Sequence, residues 1–284
     1  MNTGLVANGV VANDPVANDP VTNDPVADDV VQTGAVPASF RYVLRLGDDA
    51  LVAAQRLCWW ATRAPQLEED VALANIALDL LGQARALLDH AGRLEGRGRD
   101  EDALAFLRDD REFTNVQLVE VADTDFAAAV TRLLLFGVYQ DLLYRRLADS
   151  TDPVLAALAV KSAKETAYHV DHATTWTVRL GDGTEESHRR MRRALDDLWP
   201  YTHELFTSDA VAARAAADGT GVDPATLRAP WRERITAVLG EANLTAPEDG
   251  WAPTGGRDGL HTEAFGPFIT QMQGLHRAHP GARW

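Results

Sequence analysis

The spacing of apolar and polar positions divides the chain into two regimes. Residues 11–30 read VANDP VANDP VTNDP VADDV, and a proline at nearly every fifth place breaks any helical or strand period. From about Phe40 onward apolar residues recur at steps of three and four, the signature of amphipathic helices. Asp48 or Asp49 reads as the cap of a first helix running to about Arg63 and stopped by Pro65. A second helix runs from Leu67 to about Leu94. It has Glu68, Glu69 and Asp70 at its dipole-positive start, and its apolar set is Val71, Ala74, Leu78, Leu81 and Leu88, widened by Ile76, Leu80 and Leu87. So broad a stripe predicts a helix surrounded by others.

Residues 95–102 read as a loop and residues 109–115 as a polar connection. A strongly apolar helix follows Asp123 and runs to about Ala148. A fourth opens at Asp152-Pro153, a good cap followed by a first-turn proline, and ends near Gly181. A fifth covers roughly Glu185 to Phe206, with weaker ones at 224–242 and 261–278. Without alternating strand patterns, this predicts an all-α, ferritin-like four-helix bundle with additional C-terminal helices, occupying residues 39–284. Residues 1–38 read as a disordered acidic low-complexity tail, since the repeat at 11–30 offers valines but no larger apolar side chain for burial.

Charge and composition narrow the function. A net charge of −15 repels nucleic acid and anionic membranes, so neither is an expected partner. One cysteine, Cys58, forms neither an internal disulfide nor a zinc cluster. No basic-then-apolar leader and no uninterrupted apolar run of membrane length occurs, so a cytoplasmic location is expected.

A bundle of this kind invites a test for a carboxylate-bridged di-metal site. That site takes one glutamate from each of two helices and a Glu-x-x-His pair from each of the other two, the three-residue step placing both ligands on one helix face. The first helix, read from its cap, has no acid between Ala50 and Ala61. In the second, Asp79 is followed three residues later by Gly82; the third has Asp141 but no histidine. In the fourth, Glu165 is followed by Tyr168, with His169 one place out of register. These are degenerate metal-site positions, and no metal is expected in this chain. The one Glu-x-x-His, Glu185 to His188, opens the fifth helix and reads as an exposed terminus. Lys161, one turn before Glu165, is placed to neutralise that carboxylate where a metal would otherwise sit. The second helix carries a narrow polar seam of Asn75, Asp79, Gln83 and His90. The basic cluster Arg189-Arg190, Arg192-Arg193 reads first as a solvated face, or else as a surface for acidic groups or the phosphates of coenzyme A.

Several stretches resemble the C subunit of bacterial phenylacetyl-CoA epoxidases, the ring-1,2-phenylacetyl-CoA monooxygenases. They include YVLRLGDDALV at 42–52, APQLEEDVALANIALDLLGQAR at 64–85, EDALAFLRDDREFTN at 101–115, KETAYH at 164–169, LGDGT at 180–184 and DPATLRAPW at 223–231, with TGGRDGLHTEAFGP and PGARW near the end. The similarity spans about 42 to 284 and leaves the repeat-bearing tail outside. It implies a ferritin-like chain that lacks the metal ligands and pairs with a homologous di-iron catalytic subunit. An accessory subunit, together with an FAD/iron–sulfur reductase using NADPH, completes the system, which epoxidises phenylacetyl-CoA with O₂ in aerobic phenylacetate breakdown. The resemblance also makes Glu112, Phe113, Thr114 and Asn115 substrate-adjacent candidates; by residue type alone they are a polar helix entrance with an aromatic anchor. Ala213, Arg214 and Ala215 are a second such candidate by position, with Arg214 facing a phosphate.

The leading expectation is therefore a non-catalytic scaffold subunit touching phenylacetyl-CoA at most at its edge. The rival is a self-sufficient ferritin-like di-iron oxygenase using Asp79, Asp141, Glu165 and His169. A scaffold needs an apolar partner face, for which Leu158, Trp176, Trp59, Trp60 and Trp199 are the candidates.

Overall fold

A computed structural model of the chain describes residue 1 and residues 37–282. The tail expected at 1–38 lies, apart from Met1, Pro37 and Ala38, outside the described residues. Among these there are nine α-helices and no strand: α1 Ala38–Cys58, α2 Leu67–Glu95, α3 Glu101–Phe106, α4 Phe126–Leu147, α5 Pro153–Gly181, α6 Glu185–Leu198, α7 Ala210–Ala217, α8 Arg228–Glu241 and α9 Phe265–Ala278. Trp199–Phe206, expected as the end of the fifth helix, tightens into a 3₁₀ turn.

The helix starts follow local chemistry. Asp125 accepts the Ala128 N–H at 3.0 Å, and Asp152 accepts those of Val154 and Leu155 ahead of Pro153. Thr184 and Ser187 form a reciprocal cap on α6, each such cap stabilising by about 1 kcal/mol. α2 ends at Gly96, whose φ of 70° is a left-handed cap. The first helix departs from expectation. It begins ten residues before Asp48, so Asp48 and Asp49 are mid-helix and buried rather than capping.

α1 and α2 form one hairpin and α4 and α5 another, and the two meet along α2 and α5 in a ferritin-like arrangement. Gly47 lets α2 approach α1 closely, since a Cβ there would meet Leu88 Cδ2 at 2.8 Å. α4 is almost wholly buried because α6 and α8 cover its outer side, where Trp231 Nε1 donates to the Leu135 carbonyl at 2.9 Å.

The face assigned to α2 needs correction. The core face of α2 is Leu73, Ile76, Ala77, Leu80, Ala84, Leu87 and Leu88, whereas Val71, Leu78 and Leu81 point outward and are exposed. On α5 the buried line includes Ala159, Ser162, Thr166, His169, Val170 and Ala173, and Val160 is exposed. Thr166 Oγ1 donates to the Ser162 carbonyl at 3.0 Å, so a hydroxyl enters the core already satisfied.

Of the expected partner-facing residues, Trp60 and Trp199 are buried. Trp176 and Leu158 are partly buried against the core, and Trp176 stands edge-on to Phe126. Trp59 is exposed beneath the Arg63 guanidinium.

Candidate functional site

The densest polar region lies where residues 107–121 cross α1. Asp48 takes a two-pronged grip from Arg108 and accepts both the Thr114 N–H, at 2.9 Å, and its hydroxyl, at 3.0 Å. One residue on, Asp49 receives Arg257 at 3.0 and 2.8 Å and the Val116 N–H at 2.8 Å. Arg257 also donates to the Thr114 carbonyl at 2.9 Å. Burial pulls the Arg257 guanidinium down, but Asp49, Tyr139 and Glu204 together outweigh it and the net shift is upward.

Two glutamates finish this knot. Glu204 accepts the backbone N–H groups of Gln117, Gly255 and Arg257. Glu120 accepts from Asn115 Nδ2 at 2.8 Å and faces His261 Nδ1 at 2.7 Å. The other nitrogen of His261 faces the Phe113 carbonyl at 3.1 Å, so both ring nitrogens meet acceptor oxygens. The Gly-Gly-Arg-Asp-Gly-Leu-His stretch is thus a strap over α1. Its glycines are required by contact: a Cβ at Gly256 would lie 2.5 Å from the Asn115 carbonyl oxygen. At Gly259, where φ is 76°, it would lie 2.2 Å from that of Arg111.

A second polar line crosses the bundle interior. Tyr144 of α4 donates to Gln83 Oε1 at 3.1 Å, and Gln83 donates to Glu165 at 3.0 Å. The other Glu165 oxygen is 3.0 Å from the Lys161 ammonium. Burial pushes the Tyr144 hydroxyl far above its ordinary value, which keeps it a donor. Nearby, His169 Nε2 meets Asp79 at 3.1 Å, and His90 meets the α5 cap Asp152 at 2.6 Å. Burial holds His169 below its ordinary value despite Asp79, and burial does the same to His172, whose Nε2 lies 3.1 Å from Glu69 without hydrogen-bond alignment.

The candidate residues from the sequence separate into groups. Asp79, Glu165 and His169 gather along the α2–α5 seam, but Gly82 and Tyr168 face outward. Asp141 is fully buried and engaged elsewhere, with Arg145 at 3.0 Å and Arg234 of α8 at 2.6 Å. Phe113 and Asn115 are buried, Thr114 binds Asp48, and Glu112 accepts the Asp109 N–H at 2.8 Å. Ala213 to Ala215 lie on α7, where Arg214 pairs with Asp218 at 2.8 Å. His188 Nδ1 meets the Gly181 carbonyl at the end of α5 rather than Glu185. The reading of α1 as free of interior acids is corrected: Asp48 and Asp49 are deep carboxylates whose local pattern imitates a cap. Sequence reasoning does not single out Arg45, Arg108, Glu120, Glu204, Arg257 or His261 as site residues; Arg45, Arg108, Arg257 and His261 are visible only as parts of quoted stretches.

These donors do not fit a di-metal centre. Asp48 and Asp49 are saturated by guanidinium and backbone donors, Glu165 by Gln83 and Lys161, and Asp141 by two arginines. Among the described residues no group of three or more His, Cys, Asp or Glu side chains is arranged to hold a metal ion.

Fold and interior together define a ferritin-like helical protein whose interior carboxylates Asp48, Asp49, Asp141 and Glu165 each face a protein cation. The chain matches the family described as "Phenylacetic acid catabolic protein" over residues 23–284, and it belongs to that family. It is 46% identical over 243 residues to the C subunit of the 1,2-phenylacetyl-CoA epoxidase of Escherichia coli (strain K12), an alignment covering 86% of this chain and 98% of that protein.

Proposed function

We propose that this chain is the non-catalytic structural subunit of a multicomponent phenylacetyl-CoA 1,2-epoxidase, paired in the cytoplasm with a homologous di-iron subunit that holds the chemistry. The observation carrying this reading is the saturation of the deep carboxylates Asp48, Asp49, Asp141 and Glu165 by protein donors. Asp49 with Arg257 and Glu165 with Lys161 do the charge balancing that metal ions do in a catalytic relative. The rival, a self-sufficient oxygenase using Asp79, Asp141, Glu165 and His169, requires Asp141 to leave Arg145 and Arg234 and turn toward a seam it does not face.

The partner meets the outer face of α2. Leu67, Val71, Leu78 and Leu81 form an apolar stripe there, 73%, 55%, 63% and 46% exposed, and Val160 and Tyr168 of α5 are exposed as well. An unpaired apolar stripe of this length on a two-faced helix suits an obligate interface core. The test is co-expression of a tagged chain with the proteins encoded beside its gene. A di-iron chain recovered in stoichiometric amount supports the pairing, and Leu78→Asp/Leu81→Asp abolishes that recovery while leaving helix content intact. A stable monomer that retains no such chain contradicts it.

A further inference from the structure

At the C-terminal end of α1 a cavity of about 430 Å³ opens against the start of α9. In a protein of net charge −15 it is lined by two arginines, Arg56 and Arg63, and by no aspartate or glutamate. Two aromatic rings, Trp59 and Phe268, and two carboxamides, Gln55 and Gln271, share the lining. Each guanidinium is held by an aromatic face and a backbone carbonyl. Arg56 lies 4.5 Å from the Phe268 ring centroid and donates to the Glu120 carbonyl. Arg63 lies 3.9 Å from the Trp59 ring centroid and donates Nη1 to the Trp59 carbonyl at 3.0 Å. The carboxylates that act on Arg56 are engaged elsewhere, Asp123 with Arg132 and Trp60, Glu120 with Asn115 and His261. The buried Arg56 Nε has no hydrogen-bond partner among the described residues. Burial, and then the neighbouring Arg132, hold this guanidinium below its ordinary value, at about 10.

We infer that this cavity is a binding site for a small aryl carboxylate, its carboxylate on the Nε–Nη2 edge of Arg63 and beside Arg56, its ring against Trp59 and Phe268. That edge of Arg63 meets no acceptor among the described residues, and its planar fork matches the two oxygens of a carboxylate. A guanidinium already fixed by stacking loses little freedom on binding. Arg56 supplies the reason for an anion: a half-buried cation without a bonded counter-ion gains more from a negative group than a solvated arginine does. The negative end of the α1 dipole opposes this only weakly, because its last carbonyls are taken. Leu57 accepts from the Trp60 N–H, Cys58 from that of Ala61 and Trp59 from Arg63. One free fork and one partly engaged guanidinium suit a singly charged planar group. Trp59, 54% exposed, offers a ring face that a flat aromatic ligand would cover. The volume falls within the range of small-molecule sites. This inference stands whether or not the chain pairs with a di-iron subunit.

The test is a ligand-observed NMR titration of the full-length chain with benzoate, benzamide and cyclohexanecarboxylate at constant ionic strength. Benzoate should bind saturably with a Kd on the order of 1 mM, as its few heavy atoms allow. Benzamide, which lacks the charge, and cyclohexanecarboxylate, which lacks the aromatic face, should each bind severalfold more weakly. The variant Trp59→Ser/Arg63→Gln changes two exposed side chains and should lose about tenfold or more in affinity with unchanged helix content. Arg63→Lys keeps the charge but not the fork, and should bind benzoate more weakly than the parent. Arg192→Gln removes the same charge at an exposed position of α6 and should bind as the parent does. No saturable benzoate binding up to about 20 mM overturns the inference. So does an amide or a saturated ring bound as tightly as benzoate, or a loss in Arg192→Gln equal to that in Trp59→Ser/Arg63→Gln.

Discussion

Removing Arg257 tests the proposed role of the strap. Its guanidinium gives two bonds to Asp49, at 3.0 and 2.8 Å, and one to the Thr114 carbonyl at 2.9 Å, tying together α1, the 107–121 segment and the 255–262 strap. Arg257→Met keeps much of the volume but leaves Asp49 buried with the Val116 N–H as its remaining donor. Breaking a buried pair from one side costs about 3–5 kcal/mol, against about 0–1 kcal/mol for an exposed pair. For a domain of this size that corresponds to a fall in Tm of about 6–20 °C. Burial pushes the Asp49 carboxyl upward, so protonation limits the loss and the deficit should shrink as the pH is lowered. Urea unfolding followed by far-ultraviolet circular dichroism measures it, with Arg193→Met at the exposed Arg193–Asp197 pair as the reference. The double variant Asp49→Leu/Arg257→Met should recover more than half of the loss, because neither charge is then stranded. A loss below about 1 kcal/mol for Arg257→Met, or a double variant no better than the single, refutes the strap as a buried-charge lock.

Other consequences follow from the same geometry. Gly259→Ala should destabilise by at least about 2 kcal/mol, the left-handed backbone and the contact with the Arg111 carbonyl both opposing a Cβ; unchanged urea unfolding contradicts this. His169 and His172 are held below their ordinary value by burial, so below about pH 6.5 the unfolded chain binds more protons than the folded one. The chain should therefore hold its full stability above that pH and lose it on acidification toward pH 5. His169→Gln should flatten the slope between pH 7.5 and 5.5, and an unaltered slope sinks the assignment. Tyr144→Phe strands Gln83 Oε1 inside the bundle and should cost about 1–3 kcal/mol by the same unfolding assay. No loss would mean that water replaces the hydroxyl.

Where local chemistry sets a boundary, the sequence shows it. Asp125, Asp152-Pro153 and Thr184 sit at the starts of α4, α5 and α6, and Gly96 ends α2. Asp48-Asp49 have the local look of a cap, and what makes them interior residues comes from Arg108 and Arg257, far along the chain. No window around position 48 contains that information. The same limit hides the outer face of α2: Leu78 and Leu81 are as apolar as Leu80 and Leu87, and composition does not distinguish a core from a face awaiting a partner. The tryptophans mislead in the other direction. Trp60 and Trp199 each find an internal acceptor, Asp123 and Asp249, so large aromatic residues expected at an interface sit within the chain. The motifs Glu-Phe-Thr-Asn and Gly-Gly-Arg-Asp-Gly-Leu-His are visible as motifs. Their joint task, closing over Asp48, Asp49 and Glu120, appears once they are seen packed together.

The central claim, that protein cations stand where a catalytic relative places metal, is tested most directly by iron content. The chain purified alone is incubated anaerobically with excess Fe(II), desalted and analysed by elemental mass spectrometry alongside its Lys161→Ala variant. The account expects well under about 0.1 iron per chain in both, since a di-metal centre needs about six ligands and the carboxylates here are already engaged. Iron approaching two per chain, lost on changing Glu165 or His169, would contradict it.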